Sequence, residues 1–291
     1  MQCAKPRQNW NFKLRKMTDE KDSMSAAMIT VITSTMNCNV ALQLTARSIF
    51  SQYAPLQWII ADGGSVDGTV EFLESLSDPR VLWFSEPDSG IYDAWNKACR
   101  HIKGDWVVFL GAGDTFVSSS ILASVNHQVA GVSSHVDFVY GNVSQIHNGK
   151  VLFRYGEVDL TGWQPGRPAL PAHQGILHRS KLLTVANPFD QTYRIAGDTK
   201  FLASKLTKRN TVYLPQDITY MDPDGISSDR ANAPLIMREL LRVERDLGYV
   251  LPRRNRIFFI ASCYVRLLIH RCGVPSTWSF FESLRRLRFA K

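Results

Sequence analysis

From Met28 onward the apolar positions fall into short blocks whose period switches between strand-like and helix-like. Residues 29–33, Ile-Thr-Val-Ile-Thr, form a β-branched run that predicts a buried strand. Leu42, Ala46, Ile49 and Tyr53 follow at spacings of four, three and four, one face of a helix. Residues 56–61 predict a second strand, which stops at the turn-forming cluster DGGSVDGT (62–69). A helix over 69–77 and a strand over 80–86 come next. Ile91, Trp95, Ala98 and Ile102 then share a helical face, with Gly104 placed to end it. A fourth strand, 106–110, runs into Gly-Ala-Gly-Asp.

Alternation of this kind implies a mostly parallel, Rossmann-like α/β sheet with right-handed crossovers and helices on both faces. The carboxyl ends of the strands then share one edge, where ligands bind. Thr33-Ser34-Thr35, Asp62-Gly63-Gly64, 86–90 (Glu-Pro-Asp-Ser-Gly) and Gly113-Asp114 occupy those ends. Four polar clusters in register indicate one site. After residue 131 the pattern changes. Residues 136–143 and 150–156 read as strands joined by a turn at His147-Asn148-Gly149, and 161–175 is irregular and rich in Pro and Gly. A helix near 197–208 precedes a strand near 211–220.

Composition narrows the function class. With 45% hydrophobic and 21% charged residues, the chain is neither disordered nor a polytopic membrane protein. Its net charge of +8 is carried by the ends. Residues 1–22 hold six basic residues against three acidic, residues 253–291 hold nine against one, and the middle holds 19 against 22. A slightly acidic body with basic ends argues against nucleic acid as a partner. Five cysteines with no C-x-x-C pair suggest neither a zinc site nor a disulfide framework, which fits a reducing, cytoplasmic setting. Residues 1–27 lack a signal peptide's apolar stretch and read as a flexible basic tail.

The edge lacks both G-x-G-x-x-G and the lysine-bearing phosphate loop, so phosphates there would need metal and scattered backbone donors. Three ordered motifs, DGGSVDGT (62–69), EPDSGIYDAWNKA (86–98) and GDWVVFLGAGD (104–114), resemble glycosyltransferase family 2, the inverting enzymes of GT-A fold. Within it, the likeness is to bacterial enzymes building colanic-acid-like and other surface polysaccharides, and it spans residues 28–228. The resemblance implies a nucleoside diphosphate sugar as donor, a divalent cation such as Mn²⁺ or Mg²⁺, and a glycan or lipid-linked acceptor. It implies nucleotide contact by Thr33, Ser34, Thr35 and Asp62, with Asp62 reading the base. Asp88 and Gly90 would lie beside ribose and phosphates, and Asp93, Asn96, Lys97 and Gly113 belong to the same motifs. Asp114 matches the last acid of the family's D-x-D, which here reads Ala112-Gly113-Asp114 and lacks the first, leaving one carboxylate for the metal.

An inverting transfer needs a base near the acceptor hydroxyl. By likeness to the family's late acidic motif that base is Asp198 in RIAGDTKF (194–201); a helix-capping role is the alternative. His173-Gln174 falls in a segment that lines the acceptor side in relatives, with a structural histidine as the alternative. Asp67 reads as closing the turn before Thr69, and MDPDGISSD (221–229) resembles a closing loop.

These expectations divide the chain into a tail (1–27), a GT-A domain (28–230, with nucleotide-sugar half 28–130 and acceptor half 131–230) and a basic helical region (231–291). In that last region Ile257, Ile260, Tyr264 and Leu268 share one helix face, with Arg256, Cys263, Arg266 and His270 opposite. Such a helix either lies on an anionic membrane, at the inner face of the cell membrane, or packs on the body. Two rival functions stay open. A nucleotidyltransferase would carry a basic, Gly-rich loop after strand one, which TSTMNCN (33–39) lacks. A non-catalytic nucleotide-sugar-binding protein would explain the acid missing at position 112.

Overall fold

The computed structural model describes residues 27–272, apart from 148, 224 and 226–228. The expected N-terminal tail, much of the closing loop and residues 273–291 lie outside the described residues.

The first half alternates as the apolar pattern predicts: β1 (Ile29–Thr35), α1 (Asn39–Phe50), β2 (Leu56–Asp62), α2 (Thr69–Glu74), β3 (Val81–Ser85), α3 (Ile91–Cys99) and β4 (Trp106–Phe109). Then come β5 (Thr115–Phe116), α4 (Ile121–Ala130), β6 (Phe138–His147), β7 (Lys150–Tyr155), β8 (Trp163–Gln164), β9 (Arg167–Pro168) and β10 (Ile176–Arg179). α5 (Gly197–Lys205), β11 (Thr211–Met221), α6 (Ala233–Leu247) and α7 (Arg253–Arg271) complete the described chain. Nine strands form one sheet in the order β3-β2-β1-β4-β10-β6-β11-β5, with β7 beside β6.

β3, β2, β1 and β4 run parallel because the three crossovers that join them each carry a helix. β10 runs antiparallel to β4 and β6, arriving through the irregular Pro- and Gly-rich segment instead. β6 pairs parallel with β11, while β5 and β7 are antiparallel additions. The parallel expectation therefore holds for the first half, and the second half is mixed.

Alternate residues of the central strands feed two cores. Ile32, Ile59, Val107 and Phe109 pack with α3, α5, α6 and α7 on one face. Val31, Trp58, Ile60 and Val108 pack with α1, α2 and α4 on the other. α6 and α7 share their core with the catalytic body through Leu240, Val243, Phe259 and Cys263, so packing does not break at residue 230.

Three local expectations change. Tyr53 lies beyond the end of α1 and is 79% exposed, off the stripe of Leu42, Ala46 and Ile49. α2 is six residues long and stops at Glu74. α3 ends at Cys99, ahead of Ile102 and Gly104. Gly104 serves β1 instead: a Cβ there would sit 2.5 Å from the Met28 carbonyl oxygen and 2.7 Å from Thr30 N.

Candidate active site

The Gly-rich turn of the site is built where β1, β2 and β3 end. Register places Thr35 beside Asp62 and Asp62 beside Ser85. Asp62 is 2% exposed, and its carboxylate accepts from Gly64 N (3.1 Å), Ser65 N (2.9 Å), Ser65 Oγ and Ser85 Oγ (2.6 Å). It thereby holds the Gly-rich turn in shape. That turn is tied to the loop after β1: Asn37 N donates to Ser65 Oγ, Val66 N donates to Asn37 Oδ1, and Asn39 N donates to Asp67 Oδ2. Asp67 also accepts from Thr69 N and closes the turn, as expected. Asp88 lies directly above, with its Oδ2 2.8 Å from the position of a Cβ on Gly63 and its Oδ1 accepting from Gly90 N. Thr35 Oγ1 is buried at this edge with no hydrogen-bond partner, a polar group left over for a ligand.

Asp114 lies on the next turn. Its Oδ2 accepts from Gly111 N (3.1 Å) and its Oδ1 from Asp222 N (2.9 Å). Thr45 of α1 fixes this turn by donating to the Asp114 carbonyl (2.8 Å) and accepting from Gly113 N (2.9 Å). Gly113 faces the Asp222 carboxylate, whose Oδ2 is 3.1 Å from where a Cβ would stand. Burial, with the Asp222 charge adding to it, pushes the Asp114 carboxyl up to about 7. The buried Asp114 carboxyl beside the exposed Asp222 carboxylate suits a hard divalent cation, which would favour the charged form of Asp114. No group of three or more His, Cys, Asp or Glu suited to a metal occurs among the described residues.

The surroundings of Asp198 are assembled from distant segments. Trp95 Nε1 donates to Ser34 Oγ at 3.1 Å, and its ring meets Tyr92 (5.4 Å), Phe109 (4.5 Å) and His173 (5.1 Å). The Tyr92 hydroxyl lies 2.6 Å from the Ile195 carbonyl oxygen and 3.2 Å from Asp198 Oδ1. Asp198 also accepts from Thr199 N at 2.6 Å. Gly197 makes this approach feasible, since a Cβ there would fall 2.7 Å from the Tyr92 ring. Arg167 donates to Thr199 Oγ1 at 3.1 Å. Burial raises the Asp198 carboxyl above its ordinary 3.8, against the Arg167 charge and the bonds from Thr199 and Tyr92. Asp198 sits in the first turn of α5, whose N-cap residue is Ala196, and no side chain caps that helix.

Several expected contacts move into the interior. Thr33 is buried and its Oγ1 accepts from Trp58 Nε1 at 3.0 Å, because side chains alternate along β1 and this one points into the core. Asn96 is 1% exposed, and both ends of its amide clasp Phe189, as donor to O (2.8 Å) and acceptor from N (2.9 Å). Lys97 is held by Glu86 (3.0 Å), Asp93 (3.4 Å) and the Pro87 carbonyl (3.0 Å). His173 stacks on Phe109 (5.1 Å), and burial with the Arg167 charge holds it down to about 3. It is neutral near pH 7 and forms wall, a poor base.

Sequence reasoning missed Tyr92 and Arg167 as neighbours of Asp198, and Asp222 as the neighbour of Asp114. It also missed Glu239, a buried α6 carboxylate accepting from Arg194 N (2.8 Å), Ile195 N (2.8 Å) and Ala196 N (2.9 Å). An acid on the apolar face of a helix was the available signal.

A mixed sheet whose strand ends carry glycines and buried acids is the architecture of the GT-A glycosyltransferases. The glycosyl transferase family 2 profile matches residues 30–174. A PGL/p-HBAD biosynthesis glycosyltransferase from Mycobacterium bovis is 31% identical over 186 residues, covering 61% of this chain and 69% of that one. The chain belongs to glycosyl transferase family 2. An Escherichia coli UDP-Glc:alpha-D-GlcNAc-diphosphoundecaprenol beta-1,3-glucosyltransferase is 22% identical over 134 residues, covering 45% of this chain and 52% of that one. In fold, the chain is similar to the Pyrobaculum calidifontis mannosyltransferase solved with GDP-Man and Mn²⁺. That likeness has a TM-score of 0.57 at 17% identity and covers 94% of this chain and 83% of the other.

Proposed function

We propose that this family 2 glycosyltransferase is an inverting enzyme that moves a sugar from a nucleoside diphosphate to a hydroxyl of a lipid-linked glycan, in surface polysaccharide assembly at the cytoplasmic face of a membrane. The observation that carries the reading is Asp198: a buried carboxylate beside Arg167, joined through Tyr92 and Trp95 to the end of β1. The donor-bound relative in fold supports a nucleotide sugar, and the diphosphoundecaprenol relative supports a lipid-linked acceptor.

In this reading Thr35 and Asp88 receive the nucleoside, and Asp62, expected to read the base, instead shapes the turn beneath them through its bonds to Gly64, Ser65 and Ser85. Asp114 and Asp222 would hold a divalent cation, which as a Lewis acid would stabilise charge on the departing diphosphate. Asp198 accepts the proton of the acceptor hydroxyl as its oxygen attacks the anomeric carbon. The sugar–phosphate bond breaks on the opposite side, the nucleoside diphosphate leaves, and a single displacement inverts the centre. Arg167 and Thr199 N–H oppose the upward pull of burial on the Asp198 carboxyl.

The test is Asp198→Asn, assayed with UDP-, GDP- and dTDP-sugars. Transfer should fall by roughly 10²–10⁴ with donor binding unchanged. Because burial raises the folded-state pKa, the ionised acid costs stability above the unfolded value near 3.8, so the variant should melt no lower than wild type at pH 7. Transfer within a few-fold of wild type would remove Asp198 from the chemistry.

A further inference from the structure

α7 meets the body with one face only. Phe259 and Cys263 are buried, and the Phe259 ring lies 2.8 Å from where a Cβ on Gly166 would stand. Arg256 pairs with Glu244 of α6 at 2.9 Å. Ile260, expected on the outer apolar face, is half-buried, and Cys263, expected on the polar face, turns into the core. Packing on the body is therefore one role of this helix, and among the described residues its opposite side is exposed.

That side is apolar. Ile257 is 60% exposed, Tyr264 56% and Leu268 59%, with Phe258, Ala261 and Val265 exposed beside them. Positions 257, 261, 264 and 268 are spaced by four, three and four, so they form one continuous stripe along the 19-residue helix. Five of the fifteen exposed large apolar side chains among the described residues sit on this one helix, a concentration and not a scatter. A surface helix ordinarily turns its polar side outward, and here the apolar side is out. No helix among the described residues is long and apolar enough to cross a membrane.

Charge selects the occupant. Arg253, Arg254 and Arg271 flank the stripe at the helix ends, and no acidic residue occurs between Asp246 and Glu282. A second copy docked on this face would bring two sets of arginines together. The chain's own residues 273–291 carry Arg285, Arg286, Arg288 and Lys291 against Glu282 alone, so they too match the stripe in sign. An anionic surface is the complement. We infer that the open face of α7 is a docking surface for an anionic lipid bilayer, with the apolar stripe entering the headgroup boundary and the arginines meeting lipid phosphates.

The surface deepens the proposed function and rests on that reading for its purpose. Beneath α7, Gly166 supports Phe259, and the adjacent Arg167 reaches Thr199 beside Asp198. A bilayer on α7 thus lies on the acceptor side of the enzyme, where a lipid-linked acceptor would arrive.

The test is sedimentation of the full chain with phosphatidylcholine vesicles and with vesicles containing about 30% phosphatidylglycerol. Binding to the anionic vesicles should exceed binding to neutral ones by at least about tenfold and weaken at high salt. Ile257→Glu/Leu268→Glu should lower vesicle binding at least about tenfold while its melting temperature and donor turnover in solution match wild type. If that double variant fails to fold, Arg253→Ala/Arg254→Ala reads the electrostatic half, and it too should lose binding. Equal vesicle binding by either folded variant, wild type indifferent to phosphatidylglycerol, or a dimer that the double variant dissociates would each overturn the surface. Donor turnover without vesicles is scored separately, so failure of docking and failure of sugar transfer are distinguishable.

Discussion

Replacing Glu239 with Gln tests whether α6 positions the catalytic segment. The carboxylate uses one oxygen on Arg194 N and the other on Ile195 N and Ala196 N, at 2.8–2.9 Å. Glutamine has one acceptor oxygen. Its better orientation keeps the bonds to Ile195 and Ala196 and points an NH₂ at Arg194 N, donor against donor. Hydrogen bonds to a charged group contribute about 1.5–3 kcal/mol each and neutral ones about 1, and a stranded buried donor costs about 1–3. Arg194 is exposed, so its N–H can turn to water, which puts the sum at the lower end, about 2–3 kcal/mol. For a domain of this size that lowers Tm by roughly 4–12 °C. The functional effect follows from place: residues 194–196 lead straight into Gly197 and Asp198. Loosening them displaces the carboxylate, and a displacement of about 1 Å can cost on the order of 10² in rate. Steady-state kinetics at a temperature where both proteins are folded should show kcat down about 10- to 100-fold with donor KM unchanged. The donor turn hangs on β1–β3 and not on α6, which is why KM is spared. An unchanged Tm together with wild-type kcat would refute the argument.

Two further outcomes follow from the same geometry. Burial raises the Asp198 carboxyl above 3.8, so the acid limb of kcat/KM should lie above the pH at which a free aspartate titrates. Arg167→Met should move that limb higher still by removing the opposing charge; a pH–rate profile in which the limb stays or falls contradicts this. Asp114→Asn should melt no lower than wild type at pH 7, because burial pushes this acid up to about 7 and its ionisation costs stability above the unfolded value near 3.8, yet it should lose Mn²⁺-stimulated donor binding. Undiminished stimulation, followed by calorimetry, would take Asp114 out of the cation site.

How much of this was legible depended on the range of the interaction. β1, β2 and β4 were readable because each is buried on both faces, and half-buried β3 at the sheet edge was readable because each crossover is short, so period and turn residues sit within a few positions of one another. The donor turn was readable for the same reason: Asp62, Gly64 and Ser65 make their bonds inside four residues. Depth at the strand ends was less so, even for residues on one face of a strand. Thr33 and Thr35 look equivalent in sequence, yet one bonds Trp58 in the core and the other reaches the edge without a partner. The acceptor side had no local signature at all. Tyr92, Arg167, Asp198 and Glu239 come from α3, β9, α5 and α6, and only tertiary packing brings them together. α7 shows the limit of periodicity most plainly. A helical pattern sorts residues into faces but does not say which face the body covers. That was decided by Phe259 over Gly166, a glycine more than ninety residues upstream in an aperiodic stretch. Where the sequence places an acid on an apolar helix face, as at Glu239, the mismatch is itself the signal, since a buried carboxylate persists only where donors converge on it.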